Sequence, residues 1–327
     1  MNKVGILLPP PIDLSVAFES AKKAEGFNDE IVFRIPRNDS ERVEVLGESL
    51  VLITGDITKN ELDVCRHLEF IQVPFAGVDN FDIKELLSRK IMLANVHANA
   101  TAVAEYSMGL LLVLAKGFVQ SDRDLRKGYW HGWMGKEFNI EIQGKTLCII
   151  GVGNIGKKLA YFAKAFGMHV IGVKRAPEVV ENVDEVYETK DLLKAVSRAD
   201  FVVSILPLTD ETKGLINRDV FNAMKDKYFI NVGRGPVVSE EDLFVALKNR
   251  VIRGAAIDTW WNYPEKPMQF AYPSKYPFHA LDNIVMVAHA AGFSADSVRR
   301  NWEDSVRNVV RFFQGKELEN VVTEKGY

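Results

Sequence analysis

Short apolar runs alternate with longer polar segments along most of the chain, and this alternation predicts an α/β protein. The runs are rich in β-branched residues and too short for helices, which is typical of buried strands. The candidate strands are "VGILL", "IVFRI", "LVLI", "EFIQV" and "IMLA" up to about Leu93, and "TLCII", "HVIGV", "FVVSIL", "YFINV", "GAAI" and "IVMV" after Lys145. Because helix-length segments separate them, the strands are expected to form parallel sheets covered by helices.

Two stretches depart from this alternation and are predicted to be helices. The segment 101–120, "TAVAEYSMGLLLVLAKGFVQ", is interpreted as one long buried helix, since its apolar run is far shorter than the ~18 residues of a membrane span. The segment 295–313 is amphipathic, with apolar side chains at helical spacing at Val298, Trp302, Val306, Val309, Val310 and Phe313. This last helix is expected to fold back and complete the first domain.

The composition is that of an ordinary globular protein, with 47% hydrophobic residues, 26% charged residues and a net charge of −3. This balance gives no electrostatic reason to expect nucleic acid or an anionic membrane as a partner. A chain of 327 residues exceeds the ~250–300 residues at which single cores stop growing, so two domains are expected. Only two cysteines, Cys65 and Cys148, and an N-terminus without a signal-peptide core favour a cytoplasmic protein without disulfides. No metal site is predicted.

A glycine-rich loop lies between the strand "TLCII" and a helix-compatible segment. It reads Gly151, Val152, Gly153, Asn154, Ile155 and Gly156, which is the pattern GxGxxG. Glycine lets the backbone approach a pyrophosphate, whose charge is then stabilised by the unpaired N–H groups at the start of the helix. A purely structural turn is the alternative, but the order of strand, loop and helix favours a dinucleotide site.

The next strand ends in Lys174 and Arg175, where a dinucleotide fold selects its cofactor. Folds that prefer NAD usually carry an acid in this place, and seventeen residues separate Gly156 from Lys174. A cation there attracts a 2′-phosphate, so NADP is the predicted cofactor, with NAD as the second possibility. The alternative is a pair of solvated cations at a strand end.

Two further strands end in residues suited to chemistry on a carbonyl compound. Arg234 lies between Gly233 and Gly235 just after "YFINV", where a guanidinium can hold a carboxylate by two hydrogen bonds. His289 follows the last strand, "IVMV", and small residues come after it. An imidazole titrates near neutrality, as an acid–base group for carbonyl–alcohol interconversion must. A capping arginine and a structural histidine are the alternatives.

Taken together, these motifs resemble the D-isomer-specific 2-hydroxyacid dehydrogenase family, which includes glyoxylate/hydroxypyruvate reductases and phosphoglycerate dehydrogenases. The similarity covers most of the chain and rests on "PFAGVDNFD", "ATAVAEYSMGLLL", "GKTLCIIGVGNIG", "LPLTDETKGLIN", "INVGRGPVV", "GAAID" and "AHAAG". It implies an α/β fold of two similar parallel-sheet domains, in which a Rossmann dinucleotide-binding domain, 99–292, is inserted in a flavodoxin-like substrate domain, 1–98 and 293–327. The active-site cleft is then expected between them.

The resemblance also implies roles for individual residues. Arg234 matches the arginine that binds the substrate carboxylate and polarises its carbonyl, and His289 matches the histidine that exchanges a proton with the substrate oxygen. Asp258 matches the acid beside the nicotinamide carboxamide. The loop that binds the carboxylate through backbone N–H groups is matched by Ala76, Gly77 and Val78. Segments that border the cofactor are matched at Val103, Leu206, Pro207, Thr209, Val232 and Gly233.

One position departs from the family pattern. Family members typically carry a glutamate five residues after the aspartate, followed by proline, whereas this chain has Tyr263 and Pro264 there. The glutamate orients the histidine and favours its charged form, but a phenol orients it without a negative charge. A lower pH optimum for carbonyl reduction is therefore expected. There are two alternatives: Glu265 reaches the histidine instead, or Tyr263 indicates a different substrate.

The sequence therefore predicts an oxidoreductase that transfers a hydride between NADP(H) and a small 2-oxo or D-2-hydroxy acid. The resemblance implies a homodimer, with Trp130 and Trp133 as the better interface candidates. Trp260 and Trp261 are interpreted as packing or interface residues rather than substrate contacts. The alternative is a non-enzymatic NAD(P)-sensing regulatory protein of the same fold, like the family's transcriptional corepressors. The presence of both the arginine and the histidine argues for the enzyme.

Overall fold

The computed structural model describes residues 2–130, 139–265 and 269–323, so the interface candidate Trp133 lies outside the described residues. Two compact units divide the chain: unit 1 comprises Met1–Asn99 and Phe293–Tyr327, and unit 2 comprises Ala100–Gly292. The strands are β1 (Asn2–Ile6), β2 (Ile31–Arg34), β3 (Val51–Ile53), β4 (Phe70–Gln72), β5 (Met92–Ala94), β6 (Thr146–Ile150), β7 (His169–Lys174), β8 (Glu185–Glu188), β9 (Phe201–Ser204), β10 (Tyr228–Asn231), β11 (Gly254–Ile257) and β12 (Ile284–Met286). The helices are α1 (Leu14–Glu25), α2 (Asp39–Glu48), α3 (Lys59–Val64), α4 (Ile83–Ser88), α5 (Ala100–Lys116), α6 (Phe118–Leu125), α7 (Asn154–Ala165), α8 (Leu192–Ser197), α9 (Arg218–Ala223), α10 (Glu240–Lys248) and α11 (Ala295–Phe313).

Unit 1 is built on a five-stranded parallel sheet with the strand order β2-β1-β3-β4-β5, which is that of flavodoxin-like folds. β3 consists of Val, Leu and Ile and is buried along its whole length, as a strand covered by helices on both faces is. α11 begins after the capping residue Ser294, and its Trp302 and Val306 join Val4 and Ile6 in one core. The amphipathic helix predicted for 295–313 is therefore confirmed.

Unit 2 contains a seven-stranded parallel sheet with the order β12-β11-β10-β9-β6-β7-β8. α5 and α7 pack on one face of this sheet, and α8, α9 and α10 pack on the other. The chain order reverses between β6 and β9, and in such sheets a ligand crevice opens beyond the carboxyl ends of the strands at this point. The prediction of an α/β fold with parallel sheets is confirmed in both units.

The first difference from the predicted elements is β8, which the sequence pattern does not indicate. Its residues, Glu-Val-Tyr-Glu, are half-buried at the edge of the sheet, so no apolar run marks them. Glu185 on this strand contacts Arg198 and His169, and these hydrogen bonds, chiefly that from Arg198, lower the pKa of the Glu185 carboxyl to about 2. Charged side chains on an edge strand hinder its pairing with other molecules.

The second difference concerns the segment 101–120, for which the prediction of one long helix is wrong. α5 ends at Lys116, Gly117 has a φ of +62°, and α6 follows at an angle of 58° to α5. α5 is largely buried, whereas α6 has no buried residue. Among the described residues no single helix is long and apolar enough to cross a membrane, although α5 and α6 taken together as a bent pair meet those two criteria.

Candidate active site

The glycine loop follows β6 and leads directly into α7. Gly151 has a φ of +102°, and a Cβ on Gly156 would lie 2.5 Å from the Gly151 carbonyl oxygen, so both positions require glycine. A Cβ on Gly153, in contrast, would meet no described atom within 4 Å. α7 begins with Asn154 and Ile155. Within the described chain no side chain accepts a hydrogen bond from the first N–H groups of this helix. N–H groups without a side-chain cap, next to the open space at Gly153, suit the pyrophosphate of a dinucleotide.

The loop after β9 lies between the glycine loop and the loop after β10. The Leu206 side chain would be 3.2 Å from a Cβ on Gly151, and its backbone oxygen would be 2.5 Å from a Cβ on Gly233. The turn 207–212 that follows is closed by the side chains of its two threonines, of which Thr209 is exposed. The structure thus brings together three of the predicted cofactor-binding segments at one edge of the sheet.

Two of the predicted cofactor neighbours lie deeper in unit 2. Val103 on α5 is 5% exposed and Val232 after β10 is 6% exposed. Both belong to the apolar core that α5 and α7 form against the sheet. A contact of either side chain with the cofactor stays a prediction.

The predicted selectors of the cofactor lie at the end of β7, the neighbour of β6. The Lys174 ammonium forms an ion pair with Glu178 and lowers the pKa of that carboxyl. Arg175 is exposed and lies 3.7 Å from the carboxylate of Glu211. Both carboxylates are exposed, and ion pairs at the surface are weak, so a phosphate group can compete with either carboxylate.

Arg234 lies in the loop after β10, and its backbone is fixed from two sides. The buried Asn231 side chain donates to the Arg234 carbonyl oxygen at 3.2 Å and accepts from the Gly233 N–H at 3.3 Å. A Cβ on Gly235 would lie 2.0 Å from the Trp260 carbonyl oxygen, so the loop is in close contact with the chain that leaves β11. The half-buried Arg234 side chain donates from Nη1 to the Gly233 carbonyl oxygen at 3.0 Å. Asn231 was not predicted, although a polar residue in the apolar run "YFINV" is a usable signal.

His289 follows β12 and has an exposed ring, whose Nδ1 lies 3.0 Å from the Tyr263 hydroxyl oxygen. The same hydroxyl accepts a hydrogen bond from the Trp260 N–H at 3.2 Å. Tyr263 therefore lies beside the imidazole, where the family pattern has a glutamate. Because a phenol is neutral at neutral pH, Tyr263 orients the ring without adding a negative charge.

Asp258 comes directly after β11 and is fully buried. Its carboxylate accepts hydrogen bonds from the N–H groups of Ala290 at 2.7 Å and Ala291 at 3.3 Å. Its carbonyl oxygen accepts from the His289 N–H at 2.8 Å. These backbone contacts were not predicted, since spacing along the chain does not indicate them. The predicted place of Asp258 beside the nicotinamide carboxamide stays a prediction.

In unit 1, the predicted carboxylate-binding loop follows β4. Val78 is buried in the core, whereas Ala76 and Gly77 are half-buried. The buried Asn95 side chain donates to the Ala76 carbonyl oxygen at 2.6 Å and so fixes the loop. Asn95 was not predicted, because no motif in the sequence marks it.

Of the two roles predicted for Trp260 and Trp261, packing or interface, the structure shows packing within unit 2. Trp260 is buried and donates from Nε1 to the Val287 carbonyl oxygen at 2.6 Å. Trp261 donates to the Val238 carbonyl oxygen at 3.0 Å and stacks on Phe278. Both indoles therefore satisfy their N–H groups inside unit 2.

A glycine loop at the switch point of a parallel sheet, with an arginine and a histidine after strands of the same sheet, defines a dinucleotide-dependent oxidoreductase. Residues 108–291 match the family described as D-isomer specific 2-hydroxyacid dehydrogenase, NAD binding domain. The chain belongs to the D-isomer specific 2-hydroxyacid dehydrogenase family.

Individual relatives support this assignment. D-3-phosphoglycerate dehydrogenase from Methanocaldococcus jannaschii is 32% identical over 291 residues, which cover 86% of this chain but only 53% of that relative. Glyoxylate reductase from Thermofilum pendens is 32% identical over 273 residues, which cover 82% of this chain and 78% of the relative. A solved acyclic imino acid reductase in complex with NADPH and D-Arg has a TM-score of 0.80 and 26% identity, covering 98% of this chain and 100% of that one. The predicted family and the prediction of an enzyme are confirmed, and the non-enzymatic alternative is not favoured.

Proposed function

We propose that this chain is an NADP(H)-dependent reductase that converts a small 2-oxo acid into the D-2-hydroxy acid. Its family comprises NAD(P)-dependent 2-hydroxyacid dehydrogenases and reductases. The observation that carries the proposal is the 3.0 Å contact between His289 Nδ1 and the Tyr263 hydroxyl, in the same unit as Arg234 and the glycine loop. An imidazole oriented in this way suits proton exchange with a carbonyl oxygen.

Each group has a separate task in this reaction. The nicotinamide, when bound, supplies or accepts the hydride, and the loop 151–156 would hold its pyrophosphate. The Arg234 guanidinium binds the substrate carboxylate and counters the charge that develops on the carbonyl oxygen. Because Nδ1 of His289 faces Tyr263, we assign the proton exchange with the substrate oxygen to Nε2.

The proposal is tested by the oxidation of NADPH in the presence of 2-oxo acids, with glyoxylate, hydroxypyruvate and longer homologues compared at saturating cofactor. Chiral chromatography identifies the product where the hydroxy acid has a stereocentre. We expect one D-hydroxy acid to form for each NADPH oxidised. Binding of NADPH without turnover across the panel would contradict the proposal.

A second candidate function is the reduction of an imino acid. The solved acyclic imino acid reductase was obtained with NADPH and D-Arg, and it covers 98% of this chain. An iminium group already carries the proton that a carbonyl oxygen must receive, so its reduction does not require a charged histidine. Tyr263 is neutral and does not favour the charged form of His289, which suits such a substrate. Adding an amine to each 2-oxo acid tests this candidate, because a faster reaction that yields the amino acid would favour it.

Replacing Lys174 by alanine is expected to lower kcat/KM for NADPH about tenfold relative to that for NADH, because a cationic partner of the 2′-phosphate is lost. Steady-state kinetics with both cofactors measure this ratio. Lys190→Ala is the matched control, since it removes a surface lysine that is also paired with a glutamate, Glu188. An unchanged ratio in Lys174→Ala would contradict the NADP preference.

Replacing Tyr263 by glutamate is expected to move the falling limb of the pH–rate profile for carbonyl reduction upward by roughly one pH unit. Reduction requires a protonated imidazole, and a carboxylate beside His289 keeps it protonated to higher pH. The profile of kcat/KM against pH measures the shift. Tyr263→Phe is the control, since it removes the hydroxyl without adding charge. If the falling limb of Tyr263→Glu lies at the same pH as that of the parent chain, position 263 does not influence the acid–base group.

We propose further that the chain forms a homodimer through the region of α6. Phe118 and Leu125 lie seven residues apart on one face of α6 and are exposed, and Trp130 shortly after the helix is 77% exposed. Large apolar side chains exposed in one region mark protein contacts. Sedimentation equilibrium checks the proposal. The parent chain should be a dimer, and the dimer of the Phe118→Asp variant should dissociate at higher protein concentration than that of the parent chain. A monomeric parent chain would contradict it.

A further inference from the structure

Three consecutive backbone N–H groups of the histidine loop converge on one buried acid. The His289 N–H donates to the Asp258 carbonyl oxygen at 2.8 Å, and the N–H groups of Ala290 and Ala291 donate to its carboxylate at 2.7 and 3.3 Å. Asp258 is fully buried, and a buried carboxylate is stable only when hydrogen bonds replace its water. The histidine loop therefore supplies partners that the carboxylate requires.

The backbone of His289 adopts a conformation that most side chains disfavour. Its φ is +53°, in the left-handed region where glycine is the common residue. A positive φ within a loop lets successive N–H groups point to one side, as they do in anion-binding nests. The contacts with Asp258 stabilise this turn, and they do so at the residue that carries the imidazole.

Asp258 is itself held in a buried polar layer at the ends of β10 and β11. Its N–H donates to the Asn231 carbonyl oxygen at 3.0 Å, and the Asn231 side chain donates to the hydroxyl of the neighbouring Thr259 at 3.0 Å. From α5, Tyr106 faces the acid: burial, and then the charge of Asp258, raises the pKa of the Tyr106 hydroxyl. Asp258 is thus a rigid support for the loop that it contacts.

We propose that Asp258 is a positioning residue that determines where the His289 imidazole lies. Asp258 holds the backbone of the histidine, and Tyr263 holds its ring at Nδ1, so the imidazole is fixed from two sides. This role differs from the contact with the nicotinamide carboxamide that the family resemblance implies, since it acts through His289. The inference rests on the proposed function, in which His289 exchanges the proton.

A double-mutant cycle tests the inference. Asp258→Asn keeps the shape of the side chain but presents an NH₂ group to one of the two N–H donors, and is expected to lower kcat on the order of ten- to a hundredfold. In the His289→Ala background the same substitution is expected to change the residual rate by less than about twofold, because residues that act through one another are not additive. The dissociation constant for NADPH, followed by tryptophan fluorescence, should change by less than about threefold in Asp258→Asn.

Asp200→Asn is the matched control. The Asp200 carboxylate also accepts a backbone N–H, that of Thr146, at 2.8 Å, but it does so at the amino end of β6, away from the functional loops. This control is expected to lower the melting temperature and leave kcat unchanged. If Asp258→Asn does not fold, Asp258→Ser, whose hydroxyl still accepts one N–H, replaces it in the cycle.

The outcomes separate the inference from the proposed function. An equal fractional loss from Asp258→Asn in both backgrounds would overturn the inference, as would weaker NADPH binding that accounts for the whole loss of activity. Full activity in His289→Ala would instead reject the proposed role of His289 itself. A loss that disappears in the His289→Ala background supports the positioning role.

Discussion

Replacing His289 by alanine is expected to lower kcat for 2-oxo acid reduction by about a hundred- to ten-thousandfold, because it removes the group that we propose to exchange a proton with the substrate oxygen. The ring is exposed and the backbone stays anchored to Asp258, so the protein is expected to fold. Steady-state kinetics measure the loss. A fluorescence titration with NADPH is expected to show that the cofactor still binds.

His279→Ala is the control for this experiment. His279 lies in the same unit, is exposed, and stacks on the Tyr272 ring at 4.8 Å, so its loss removes an imidazole without touching the site. This variant should retain the activity of the parent chain. A His289→Ala variant that keeps more than about a tenth of the parent kcat would show that another group delivers the proton.

Arg234→Lys is expected to lower kcat/KM by about a hundred- to thousandfold. Lysine keeps the positive charge but loses the planar fork that holds a carboxylate through two parallel hydrogen bonds. The loop backbone is fixed by the Asn231 side chain and by the close approach of Gly235 to Trp260, so the substitution alters the guanidinium alone. Kinetics with the preferred 2-oxo acid provide the measurement.

Arg253→Lys is the matched control, because Arg253 precedes β11 at the other end of the strands and contacts the Tyr228 ring. It is expected to behave like the parent chain. How the loss of kcat/KM in Arg234→Lys divides between kcat and KM is informative as well. A rise in KM with unchanged kcat would show that Arg234 binds the substrate without stabilising the transition state, and would contradict the role in polarising the carbonyl that we propose for it.

Most of the fold could be predicted because parallel strands buried on both faces consist of continuous apolar runs, as β6 and β9 do. β8 could not, since Glu185 and Glu188 lie at a half-exposed edge that leaves no apolar pattern. The break between α5 and α6 could not be predicted either. A glycine within an apolar helical pattern is tolerated, and only the left-handed backbone of Gly117 shows that the helix ends there.

The candidate site was predictable to a similar extent and for a related reason. Arg234 and His289 could be identified because they directly follow predicted strands, whose carboxyl ends meet at one edge of the sheet. The hydrogen bonds that support these two residues could not be predicted. Those of Asn231 and Asp258 join residues that are 28 and 32 positions apart, and sequence spacing does not reveal which polar atom meets which N–H. The 3.0 Å contact of Tyr263 with the histidine ring is likewise a finding of the structure.

Under the role that we propose for His289, its left-handed backbone makes folding stability and turnover place opposite demands on one residue. A residue with a Cβ in this conformation costs about 1 kcal/mol or more relative to glycine, and asparagine tolerates it better than most. Selection for thermal stability alone therefore favours glycine or asparagine at this position, whereas selection for turnover retains the imidazole. If the proposed role holds, a more stable variant that evolves at position 289 loses the reaction.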